Sequence, residues 1–295
     1  MIHRSISIVC LTILYLHLTP VKCQACDGIL PENKLFIPVD AKEISRVSQN
    51  IFNQVLDRLE QIYAPIIRRQ WGQLKIERDW EDGRVNAYAQ RKGLTWLINI
   101  KGGLARHPII NKDGLVLVAC HEIGHHLGGA PKKSDTTKKT TWASMEGQAD
   151  YFSTSKCMRE FFADENNQAV VETLDVPAQV TQKCQASFNQ AEAVAICQRS
   201  SLAGKNLATL FWAVSSFGNK PNFHTPDTTE VEQTKQTHPE PQCRLDTYFQ
   251  GSLCDKEKSE PISNNNASKG YCTRHDHYLQ GTRPLCWYRP NEFNF

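Results

Sequence analysis

Residues 121–125 read His-Glu-Ile-Gly-His, and this spacing constrains the chain more than any other feature in it. Two histidines four apart on an α-helix project from one face, one turn apart, so His121 and His125 can share a cation while Glu122 sits beside it. The flanking residues support the helix: Val116, Cys120, Ile123 and Leu127 recur at helical spacing as an apolar stripe roughly opposite the histidines. Gly128 and Gly129 stop it, and Pro131 keeps it stopped. The pattern predicts a helix packed in a core with its polar edge turned to a cleft.

A catalytic zinc site takes three protein ligands and leaves a position for water, so a third group must come from elsewhere in the chain. The string HEIGHHLGGAP follows the metzincin pattern as far as Gly128, but Pro131 stands where that pattern has its third histidine and offers no ligating atom. Downstream, in SMEGQADYF, Glu146 and Asp150 lie one helical turn apart in a segment whose Trp142, Met145, Ala149 and Phe152 are spaced as on a helix. Glu146 suits a ligand delivered from a second helix. Asp150 suits the partner that accepts the free ring N–H of a ligand histidine, fixing its tautomer.

HEIGH followed by EGQAD resembles the gluzincin metallopeptidases. The ExxAD form in particular is similar to the family of the CAAX prenyl proteases, the bacterial heat-shock protease HtpX and the mitochondrial Oma-type proteases. Two further segments agree with that family. Asn86, Ala87, Tyr88 and Ala89 stand where it has an Asn-Ala-Phe-Ala stretch, and Thr237, His238, Pro239 and Arg244 match its Thr-His-Pro segment with an arginine six residues after the histidine. The resemblance covers roughly 85–150 and 236–250. It implies a zincin-like α+β fold, one Zn2+ per chain on His121, His125 and Glu146, and Glu122 as general base. It further implies His238 and Arg244 as catalytic groups, the histidine as a donor to the substrate carbonyl and the arginine orienting either that loop or the carbonyl. Two departures stand out: many members are integral membrane proteins, whereas this chain has no interior apolar run of 18 residues, and it is rich in cysteine. Substrates of the membrane members are therefore not carried over.

The chain begins MIHR, continues with an apolar stretch from Ser5 to Leu18, and reaches Pro20 and a Cys23-Gln24-Ala25 site with small residues, which reads as a secretory signal peptide over 1–25. Cleavage there makes Cys26 the first mature residue, the position a lipid-anchored envelope protein modifies, although Val-Lys-Cys-Gln-Ala lacks the leucine usual in such signals. A secreted or periplasmic location makes disulfides the natural use of the nine cysteines that remain. Cys120, on the buried stripe of the zinc helix, is expected to be the unpaired one. The other eight, Cys26, Cys157, Cys184, Cys197, Cys243, Cys254, Cys272 and Cys286, are expected to form four bridges among on the order of a hundred pairings. Asn266-Ala267-Ser268 is a glycosylation sequon if the source glycosylates.

With a formal charge of +3, the one basic cluster along the chain is Lys132, Lys133, Lys138 and Lys139, expected to solvate a loop between the two zinc helices rather than bind nucleic acid. An amphipathic helix is expected over 42–68. Short strands are expected over 74–80, 84–90 and 95–100, as a small antiparallel sheet whose edge, Asn86 to Ala89, can pair with an extended substrate. A mostly helical stretch over 163–217 and a long loop over 218–240 delivering His238 follow, with a polar tail tied down by cysteines. The expectation is one α+β domain over 26–295 acting as a zinc-dependent endopeptidase on a peptide or protein substrate, with no membrane span after signal cleavage. A catalytically inactive, zinc-stabilised binding or scaffold protein of the cell envelope is the alternative, and a metal-free, disulfide-stapled surface module a third.

Overall fold

Helix α1, Gln49–Arg68, begins where Ser48 accepts a hydrogen bond from the Ile51 N–H, later than the 42–68 expected, and buries Phe52, Val55, Leu56, Leu59, Tyr63 and Ile67. In this computed structural model the described residues are 28–41, 45–215 and 218–290, so the expected signal peptide and Cys26 lie outside them. The architecture is mixed α+β.

Strands β1 (Gln73–Asp79), β2 (Ala87–Lys92) and β3 (Thr95–Lys101) form a sheet in the order β1-β3-β2. The tight turn at Gly93 (φ +58°) joins β2 and β3 antiparallel, as expected. The antiparallel pairing expected of β1 is corrected: it runs parallel to β3, with Gln73 opposite Thr95 and Asp79 opposite Lys101. The reason is burial, because β3 is covered almost from end to end, and a strand buried on both faces takes the centre of the sheet and needs a partner on each side. The chain after Asp79 therefore crosses to the far edge instead of folding back at Asp82-Gly83.

Short helix α2 (Gly102–Arg106) leads to α3 (Lys112–Leu127), which starts at Asn111, whose side chain accepts the Gly114 N–H at 2.8 Å. Every residue from Gly114 to His126 is buried, so the one-sided stripe expected from the sequence is corrected to a central helix covered all round. A hairpin follows, β4 (Lys132–Ser134) and β5 (Thr140–Ser144), then α4 (Glu146–Phe152), a π-helical turn Ser153–Cys157, and α5 (Met158–Phe161). Helices α3 and α4 meet through small residues. A Cβ on Gly124 would come within 2.9 Å of the Ala149 backbone, so the glycine of HEIGH and the alanine of EGQAD are what let Glu146 approach the histidines.

Helices α6 (Asn167–Val171), α7 (Ala178–Ser187), α8 (Ala191–Ser215) and α9 (Pro241–Leu253) complete the fold. The residues between α8 and α9 carry no regular element among those described. The tail wraps back onto the metal helices: the carbonyl of Gly128, at the end of α3, accepts from Gln148 and from Tyr271, and Arg283 donates to Gln148.

Among the described residues four disulfides tie the chain: Cys120–Cys157, Cys184–Cys197, Cys243–Cys286 and Cys254–Cys272. Cys120 is therefore not the free thiol. A position that suits a buried thiol suits a buried half-cystine equally well, and Cys157 reaches it from the π-helical turn. This bridge fastens the helix of His121 to the segment that continues from Glu146. It spans 37 residues, for which the chain-entropy account gives about 4 kcal/mol of stability. Replacing both cysteines by alanine is expected to lower thermal stability accordingly. Alkylation of the unfolded, unreduced protein is expected to leave Cys120 unlabelled, and an adduct there would disprove the pairing.

Candidate metal centre

The Nε2 atoms of His121 and His125 lie 3.1 Å apart, and Glu146 Oε2 lies 3.3 Å from the first and 3.5 Å from the second. Tetrahedral coordination at about 2.0–2.1 Å separates neighbouring ligand atoms by about 3.3 Å, so the three atoms stand at spacings compatible with one shared metal ion. Their hydrogen bonding fits the same ion. His125 Nδ1 lies 2.9 Å from the carbonyl oxygen of Ser144, which can only accept, so Nδ1 carries the proton and Nε2 of the neutral ring presents a lone pair. His121 Nδ1 donates to Asp150 Oδ1 at 2.7 Å, and when the ring is neutral its Nε2 likewise presents a lone pair. Glu146 Oε2 is buried with no hydrogen-bond partner among the described residues, although imidazole nitrogens surround it. With both rings neutral, the converging lone pairs repel unless a cation joins them. The group His121, His125 and Glu146 can thus hold a metal ion.

The support is as specific as the ligands. Asp150 is fully buried, and its second oxygen accepts from Arg244 Nε at 2.8 Å while Oδ1 also accepts from Arg244 Nη2 and from the Tyr248 hydroxyl. Burial alone would raise its pKa, but Arg244, and then His121, hold the carboxyl well below the usual carboxylate range. Arg244 itself lies on α9 with its guanidinium over the Phe211 ring and a further bond from Nη1 to the Ile29 carbonyl. It is buried, and its donors reach Asp150, Tyr248 and the Ile29 carbonyl.

Glu122 is buried, with both carboxylate oxygens unpartnered among the described residues, and burial pushes its pKa up to about 7 against the pull of the two histidines. His238, delivered by the loop before α9, brings Nε2 to 3.0 Å from Glu146 Oε2 and keeps 18% of its side chain exposed. His126, the remaining histidine of the run, is no ligand. Its ring stacks between Trp96 and Trp142, Nε2 donates to the Leu97 carbonyl, and burial pushes its pKa down to about 3, so it is neutral.

Of the strand expected to bind substrate, Asn86 and Ala87 bond to the segment before α1. Asn86 exchanges hydrogen bonds with both backbone groups of Leu30, and the Ala87 carbonyl accepts from Ile29. Tyr88 is half-buried and Ala89 buried further along the same edge. Three contributors carried no signal in the sequence reading. Ser144 acts through its carbonyl, which any residue possesses. Tyr248 acts from one turn beyond Arg244. Lys133 was expected to be solvated, yet its ammonium sits 2.6 Å from Glu146 Oε1, a pairing across the β4–β5 hairpin. The two oxygens of Glu146 are thereby distinguished, one facing lysine and the other facing the imidazoles.

Comparison with known protein families, with curated proteins and with solved structures finds no match for this chain.

Proposed function

We propose that the chain is an exported zinc-dependent endopeptidase of gluzincin type. The observation that carries this is the set of three lone-pair atoms held 3.1–3.5 Å apart with Glu122 adjacent in sequence and unpartnered. A bound zinc ion supplies Lewis acidity, acidifying a water and polarising the scissile carbonyl. Glu122 accepts the proton of the attacking water and returns it to the leaving amine, a task matched by a carboxyl whose pKa is pushed up to about 7. His238 is placed to donate to the carbonyl oxygen as negative charge develops there. Asp150, Arg244 and Tyr248 hold the His121 ring in one tautomer and one orientation. Export rests on the leader-like N-terminus and four disulfides, and none of the described helices is long and apolar enough to cross a membrane.

One observation favours the second reading, a metal-stabilised binding protein without turnover: His121, Glu122, His125 and Glu146 are all fully buried. Against it stands Glu122, because a structural site has no use for a buried carboxyl left without a partner.

Metal analysis with a peptidase assay tests both. The purified protein is expected to hold close to one zinc per chain, and unfolded protein substrates are expected to be cut in a reaction that a chelator stops and zinc restores. His121→Ala, His125→Ala and Glu146→Ala are each expected to lose most of the metal at neutral pH. Full occupancy in Glu146→Ala rejects the third ligand. Stoichiometric zinc without hydrolysis selects the binding protein.

A further inference from the structure

The end of α1 and the β2–β3 turn meet at one tip of the sheet. Trp71 N donates to the Arg68 carbonyl, Gly72 N to the Ile67 carbonyl, and Gln73 N to the Leu94 carbonyl at 2.8 Å. Gly72 is wedged where a Cβ would lie 2.8 Å from the Trp96 ring, and Trp71, with φ at +62°, is turned outward in the left-handed region that an aromatic residue rarely adopts. The result is an indole 86% exposed beside Leu94, 70% exposed. Around them stand the exposed Arg68, Arg69 and Lys92. No Asp or Glu occurs between Gln61 and Ile76 or between Arg84 and Lys112, so both strands of chain that build the tip lack acidic residues. Arg68, Arg69 and Lys92 belong to no ion pair among the described residues.

We propose that this tip is a docking surface for the headgroup layer of an anionic lipid bilayer. An indole and a leucine protruding together gain free energy by entering the boundary between headgroups and acyl chains, where tryptophan is enriched. Arg68, Arg69 and Lys92 then lie level with lipid phosphates, and their attraction to an anionic surface adds to the apolar term. A purely electrostatic partner, such as a nucleic acid or an acidic polysaccharide, explains the cations but not the two apolar side chains held out in water. The β2–β3 turn runs directly into Trp96, whose ring stacks on His126, the neighbour of ligand His125. The inference does not depend on the peptidase reading.

Vesicle sedimentation with the oxidised, full-length mature protein tests it. The protein is expected to sediment with vesicles containing phosphatidylglycerol and phosphatidylcholine, to bind phosphatidylcholine vesicles far more weakly, and to be released by salt. At about five-fold for each basic residue, Arg68→Ala/Arg69→Ala/Lys92→Ala is expected to lower the partition coefficient about 100-fold. Trp71→Ser/Leu94→Ser is expected to weaken binding at unchanged salt dependence. Both variants change only exposed side chains, and unaltered thermal unfolding confirms that they fold. Equal binding to neutral vesicles, binding that survives either variant, or no binding at all overturns the proposal. Retention on heparin without sedimentation with vesicles overturns it in favour of a soluble polyanion.

Discussion

Glu122→Gln is expected to keep the fold and the metal while losing turnover by about 100 to 10,000-fold, the range that a positioned general base supplies. The side chain makes no hydrogen bond among the described residues, so its replacement by an isosteric amide breaks nothing that holds α3 in place. It also removes a buried group whose ionisation is disfavoured, with the carboxyl pKa up at about 7. Thermal stability is accordingly expected to stay level or rise slightly. Metal content, melting temperature and peptide hydrolysis measured on one preparation check the three statements together. A variant that retains zinc and hydrolyses at the wild-type rate would remove Glu122 from the mechanism.

Asp150→Ala is expected to fail differently, through stability as well as through the metal. Its carboxylate is the counter-ion of Arg244, and both are buried. Removing one partner of such a pair leaves an uncompensated charge in the interior, at a cost of about 3–5 kcal/mol. For a chain of this size that lowers the melting temperature by roughly 5–9 °C. The same change frees the His121 ring, which is expected to weaken metal affinity by about 10 to 100-fold. A second variant separates the two effects. Asp150→Ala combined with Arg244→Met deletes the orphaned charge and is expected to recover much of the lost stability without restoring metal affinity. If both variants match wild type in melting and in metal titration, the buried pair supports neither.

The parts of this site legible in the sequence are those whose geometry is local. His121 and His125 share a face because a helix repeats every 3.6 residues, and Glu146 and Asp150 stand one turn apart for the same reason. What joins the two helices was not legible. The bond between Asp150 and Arg244 spans 94 residues, and nothing in either local segment distinguishes a surface arginine from the counter-ion of a buried aspartate. Lys133 illustrates the same limit, since a lysine in a threonine-rich turn reads as solvated until the hairpin register carries it to Glu146. The sheet order was missed because Asp82-Gly83 is a good turn signal locally, while the decision to cross the sheet is set by the burial of β3. Cys120 was misread because its burial, correctly inferred, does not depend on whether its sulfur is bonded.

The connectivity of the four bridges has a consequence for how the chain is made. The loops closed by Cys120–Cys157 and Cys184–Cys197 follow one another, whereas Cys254–Cys272 lies inside the loop closed by Cys243–Cys286. Among the eight bridged cysteines, joining neighbours in sequence gives the first two bridges correctly and then joins Cys243 to Cys254. Those two residues mark the ends of α9, about 16 Å apart along a helix, while a disulfide tolerates no more than about 7 Å between Cα atoms. The mispaired intermediate cannot form α9, and without α9 Arg244 never reaches Asp150. A chain trapped with Cys243 joined to Cys254 would therefore lack the support of its candidate metal site despite carrying His121, His125 and Glu146, and only disulfide exchange among the last four cysteines would release it.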